Sequence, residues 1–171
     1  MSDMANTSYS EQGVESGIPT KGFLADLISP DRVLTGVQVS SKKRLLEEVA
    51  SLLSVGHSEL DRDTIFQILN ERERLGSTGI GEGIAIPHGR INGIDQPIVC
   101  AMLLAQPLEF EAIDDQPIRC VIGLIVPADA NHMHLKILAK LAGIFSQPTV
   151  RSDLLCQTDT DSFYHCLTSL E

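Results

Sequence analysis

Two short apolar runs constrain the fold more than any other feature. Residues 98–105 read IVCAMLLA and residues 120–126 read CVIGLIV, with Pro97 before the first and Pro127 after the second. Neither approaches the roughly 18–20 apolar residues of a membrane span. An unbroken apolar run of this length between turn residues suits a strand covered on both faces. Strands buried twice need helices on both sides of the sheet, and the flanking sequence offers them. In residues 42–55, Leu45, Leu46, Val49, Ala50, Leu52 and Leu53 fall on one helical stripe. Ser40 is its predicted N-cap and Gly56 its stop. Asp61 or Asp63 caps a second helix, with Ile65, Phe66, Ile68, Leu69 and Leu75 on its buried side and Gly76 at its end. Asn131 caps a third that runs to Phe145, its core face made of Leu135, Leu138, Leu141, Ala142 and Phe145. Residues 150–170 hold two more, the last capped by Asp159 or Thr160.

Phe23, Leu24, Leu27 and Ile28 predict one short helical face, ended by Ser29-Pro30-Asp31 because a residue before proline avoids the helical region. Val33, Leu34, Val37 and Val39 follow as a short extended stretch. Leu108 to Phe110 suggest an edge segment and residues 112–115 a turn. The expected fold class is therefore α/β: a single-domain mixed β-sheet flanked by helices on both faces. Residues 1–21, rich in Ser, Gly, Glu and Asn, predict a disordered N-terminal tail, and residues 22–171 the folded domain.

Charge narrows the function. Lys and Arg total 13 against 23 Asp and Glu, a formal charge of −10. Such a chain lacks the basic footprint that nucleic acid or an anionic membrane surface requires. No secretory signal precedes residue 21, and no two cysteines form a C-x-x-C pair. Cys100 and Cys120 lie inside the apolar runs and read as small core residues. A cytoplasmic protein is expected, without cofactor, nucleic-acid partner or membrane insertion.

The chemistry concentrates in residues 76–90, GSTGIGEGIAIPHGR. Glycines recur beside alternating isoleucines, which suggests turns and close approach of backbone or ligand. A Walker loop would need lysine where Glu82 stands, and a dinucleotide fingerprint is only half present in Gly79 and Gly81. On composition alone, a glycine-rich structural turn carrying a surface histidine stays open.

Glu73, Ile80, Gly81, Ile84, Ala85, Ile86, Pro87, His88 and Gly89 stand at one fixed spacing. This run resembles the active-site histidine signature of the enzyme IIA components of the phosphoenolpyruvate-dependent phosphotransferase system, mannitol/fructose type. The wording of residues 76–81, and Val126-Pro127-Ala128-Asp129 followed by His134-Leu135, most resemble the nitrogen-regulatory branch. The resemblance implies that His88 accepts a phosphoryl group from the histidine of a small phosphocarrier, HPr or its nitrogen-branch relative NPr. It matches Arg72 to the family's active-site arginine and His134 to its second active-site histidine. It also implies regulatory protein targets, among them potassium transport or sensor proteins. The alternatives are a sugar-specific fructose or mannitol IIA component that passes phosphate to a IIB domain, and a non-phosphorylated binding module on the same fold.

The residue types suit that chemistry. A neutral imidazole attacks through its unprotonated nitrogen while the other nitrogen donates to an acceptor that fixes the tautomer. A guanidinium fork holds phosphoryl oxygens in two places; the plainer role for Arg72 is an ion pair with Glu71 or Glu73. Thr78 can donate a hydroxyl to phosphate or serve as a turn residue. His134, in a first helical turn, can donate to an anion while staying neutral. His132 and His134 lack further ligands, so no metal is expected. Residues 106–131 carry a net −4 and residues 150–171 a net −3. An acidic rim around His88 would steer a basic phosphocarrier.

Overall fold

The structure is a computed structural model and describes residues 22–170. The predicted tail, residues 1–21, lies outside the described residues.

Six strands form one mixed sheet: β1 (Ile28–Val37), β2 (Gly79–Gly81), β3 (Ile84–Ala85), β4 (His88–Ile91), β5 (Ile98–Leu108) and β6 (Ile118–Pro127). The order is β1-β5-β6-β3-β2, and β4 also pairs with β6. β5 and β6 run antiparallel at the centre, while β1 joins β5 and both β3 and β4 join β6 in parallel. Five helices surround the sheet: α1 (Lys42–Leu53), α2 (Arg62–Leu75), α3 (Asn131–Phe145), α4 (Pro148–Leu155) and α5 (Thr160–Thr168).

The apolar runs are the doubly covered strands their composition predicts. Side chains of a strand alternate between faces. Cys100, Met102, Leu104, Val121 and Ile125 pack under α1 and α2. Val99, Ala101, Leu103, Cys120, Ile122, Leu124 and Val126 pack under α3, α4 and α5. At Gly123 the strand must be bare, because a Cβ there would stand 2.6 Å from both Cys100 Sγ and Val49 Cγ1.

Several local expectations give way. Residues 23–26 form a single 3-10 turn, and β1 already begins at Ile28. Ser29-Pro30-Asp31 sit inside that strand, at a shift in its register against β5. An edge strand with a bulge tolerates proline. Ser41, not Ser40, caps α1 by accepting the Arg44 N–H at 3.1 Å. Asp61 caps α2, and Asp159 caps α5. The position before α3 is Ala130, so Asn131 is its first helical residue and not its cap.

Helical phase accounts for the errors in the core lists. Leu75 is 85% exposed. At about 100° per residue it lies about 120° from Leu69, the middle of the inward stripe, whereas Glu73 lies only about 40° from it. Glu73, at i+8 from Ile65, takes the inward position and is buried. In α3, Leu135 and Ala142 face outward, while Ile137, Leu141, Ile144 and Phe145 face the sheet. His134 lies at the start of that inward stripe and is buried too.

Candidate functional site

The site grows from a break in one edge of the sheet. β3 and β4 lie end to end along β6, pairing at Ala85 with Val121 and at His88 with Leu124. Ile86 and Pro87 interrupt them. Proline has no N–H to give, and Ile86 turns its own N–H back to the Thr78 carbonyl at 2.9 Å. The Ile86 carbonyl accepts from Nδ1 of His88 at 2.7 Å. That bond assigns the proton to Nδ1 and leaves Nε2 with its lone pair.

Close packing holds His88 in place from behind. Gly89 backs onto α2, where a Cβ would overlap Ile68 Cγ2. The His88 ring lies 5.2 Å from the ring of His134, centroid to centroid, tilted by 51°. Both are nearly buried, at 8% and 9% exposure. Burial holds both imidazoles below the usual histidine range. For His88 the Arg72 charge adds to this, opposed by the Ile86 bond and by Glu73. For His134 the neighbouring His88, Arg90 and Arg72 act in the same direction as burial. Both rings are therefore neutral at neutral pH, with His134 in the first turn of α3. Among the described residues, no hydrogen bond reaches the buried Nδ1 of His134.

The loop before β3 has its own frame. Glu82 and Gly83 both have positive φ, at 57° and 80°. This suits a two-residue turn joining β2 to β3. Asp114 secures it by accepting the Glu82 N–H at 2.9 Å. Arg72 donates Nη1 to the Gly76 carbonyl at 2.9 Å. It does not pair with Glu71 or Glu73. Glu73 instead meets Lys42 of α1, at 2.7 Å, and takes both the N–H (3.0 Å) and the hydroxyl of Thr78. Thr78 is itself buried.

The sequence candidates thus divide. His88, His134 and the Arg72 charge share one place, while the Thr78 hydroxyl is committed to Glu73. His132 is exposed, His57 pairs with Glu59, and His165 sits on α5. Of the acidic segments, Asp114 borders the glycine turn, and Arg151 of α4 reaches Glu82 at 4.0 Å. Asp159 and Asp161 belong to α5, which packs on β1 at the far edge. Sequence reasoning missed Lys42, Arg90 and the inward role of Glu73. The last had a signal: Ile65, Leu69 and Glu73 are spaced i, i+4, i+8.

Residues 26–169 match the family described as phosphoenolpyruvate-dependent sugar phosphotransferase system, EIIA 2. A nitrogen regulatory protein of Pseudomonas aeruginosa is 37% identical over 148 residues, covering 86% of this chain and 96% of that one. The crystal structure of nitrogen regulatory protein IIA-Ntr from Neisseria meningitidis superposes with a TM-score of 0.79 at 37% identity, covering 86% of this chain and 100% of that one. IIA mannitol from Escherichia coli shares the fold, with a TM-score of 0.68 at 21% identity and coverage of 82% and 98%.

Proposed function

The chain belongs to the EIIA 2 family of the phosphotransferase system, and from this we propose that it is a nitrogen-regulatory phosphocarrier whose phosphoacceptor is Nε2 of His88. The observation that carries the reading is the bond from His88 Nδ1 to the Ile86 carbonyl. It leaves one nucleophilic nitrogen on a ring that burial keeps neutral. The donor is the phosphohistidine of a small phosphocarrier of the HPr or NPr kind. As the P–Nε2 bond forms, the P–N bond to the carrier breaks, and the carrier's imidazole leaves with the electron pair. The proton stays on His88 Nδ1, donated to the Ile86 carbonyl, which favours the positive charge that develops on the ring.

In-line placement and charge stabilisation do most of the work in phosphoryl transfer. Arg72 supplies the cation, leaving the Gly76 carbonyl for the phosphoryl oxygens. His134 donates from the start of α3, where the helix dipole favours an anion. The Thr78 hydroxyl serves by position, through Glu73. The phosphorylated and unphosphorylated forms bind different regulatory targets in the cytoplasm, since the group adds roughly −1.5 to −2 charge by analogy with other phosphoresidues.

Incubation with phosphoenolpyruvate, the first enzyme of the system and the carrier tests this by intact mass. One acid-labile phosphoryl group is expected, absent in His88→Ala. No gain with either carrier would sink the proposal. Growth on fructose and mannitol should survive deletion, and its loss would favour a sugar-specific role.

A further inference from the structure

The phosphoacceptor's ring is tied to a lysine of α1 through one ion pair followed by a series of hydrogen bonds. Lys42 Nζ contacts Glu73 Oε1 at 2.7 Å, and the other carboxylate oxygen takes the Thr78 N–H and hydroxyl. The Thr78 carbonyl accepts the Ile86 N–H, and the Ile86 carbonyl accepts from His88 Nδ1. The Glu73 side chain is only 4% exposed. A carboxylate so deeply buried is costly unless every partner is present. Helix packing alone would be served better by leucine at this i+8 position, as it is by Ile65 and Leu69. Lys42 is fixed in turn by the Phe110 ring, 4.7 Å from its centroid, and by Glu111 at 3.8 Å.

We propose that Glu73, neutralised by Lys42, is a positioning residue for the phosphoacceptor: through Thr78 and Ile86 it fixes which nitrogen of His88 carries the proton. This rests on the phosphoacceptor reading of His88 for its consequence, though the tautomer itself is measurable without any transfer. The carboxylate grips Thr78 at both donors, so the Thr78 carbonyl is held facing Ile86. Ile86 lies in the break between β3 and β4, where the sheet does not orient it. Without that grip, the Ile86 carbonyl can turn from the ring and either nitrogen of His88 can hold the proton. A proton on Nε2 blocks the attack.

The test is the ring of His88 in the full chain, labelled with 15N at histidine and observed unphosphorylated by long-range proton–nitrogen correlation. The wild type should show the Nδ1–H tautomer. Glu73→Ala should populate both tautomers and slow phosphoryl acceptance about tenfold or more. Glu73→Gln keeps an acceptor oxygen for Thr78 and should return the ring to Nδ1–H. A folded Glu73→Ala with the wild-type ring pattern overturns the proposal. Should that variant fail to fold, Thr78→Val removes only the hydroxyl bond. It should give a smaller shift of the same kind, and an unchanged ring there overturns the proposal as well. A wild type that gains no phosphoryl group would overturn the function and leave the ring pattern readable, so the two failures are distinct.

Discussion

At the scale of single residues, the site depends on two imidazoles kept neutral by burial. The linkage has a definite sign. Both folded values lie below the ordinary histidine range, so above that range neither state of the chain takes up a proton. As pH falls, the unfolded chain is protonated first and the fold loses stability until the depressed folded values are passed. Denaturant unfolding should therefore show wild type losing more stability than His88→Asn between pH 7 and pH 5, and equal losses would contradict it. Arg72 is a separate case. Its hydrogen bond to Gly76 is exposed, so Arg72→Ala should cost less than about 1 kcal/mol of stability. Phosphoryl acceptance should fall by about a hundredfold, the order expected for losing one charge-stabilising donor. Unchanged transfer kinetics would remove Arg72 from the site.

At the scale of elements, the site is a strand broken at the right place and pressed against a helix. Gly89 is where β4 and α2 meet. Gly89→Ala should destabilise the fold by about 1–3 kcal/mol through overpacking. Ile68→Ala removes the methyl it would strike, so the double variant should be less destabilised than the sum of the two. Additive losses in a denaturant-unfolding cycle would show that the contact does not matter. The elements were legible in the sequence where periodicity was strong. β5 and β6 followed from unbroken apolar runs, α1 from its stripe, α2 from its stripe and its cap, and α5 from its cap. Legibility failed where tertiary context decides. β1 runs through Pro30 because its edge position and bulge release that residue from the ladder. Leu75 and Leu135 read as core by composition, yet helical phase gives their inward places to Glu73 and His134. His88, His134 and Arg72 could be singled out from spacing and family likeness. Lys42 could not, because its role depends on how α1 packs against α2.

For the whole molecule, the charge of −10 acquires a partial address. Asp114 and Glu82 sit at the glycine turn, at the Cys120 end of β6, four residues along that strand from the Leu124 that pairs with His88, whereas the α5 carboxylates lie across the sheet. Acidic groups near the site would steer a basic carrier, an effect that salt screens. The association rate with such a carrier should fall as ionic strength rises, in stopped-flow transfer, and a flat dependence would remove steering from the account. Among the described residues no helix is long and apolar enough to cross a membrane. The central claim is that His88 accepts phosphate on Nε2 because Nδ1 is held by Ile86. The most direct measurement is nitrogen–phosphorus coupling in the phosphorylated, 15N-histidine-labelled chain. Coupling confined to Nε2 of His88 is the predicted result; a phosphoryl group on Nδ1, or on another histidine, would contradict it.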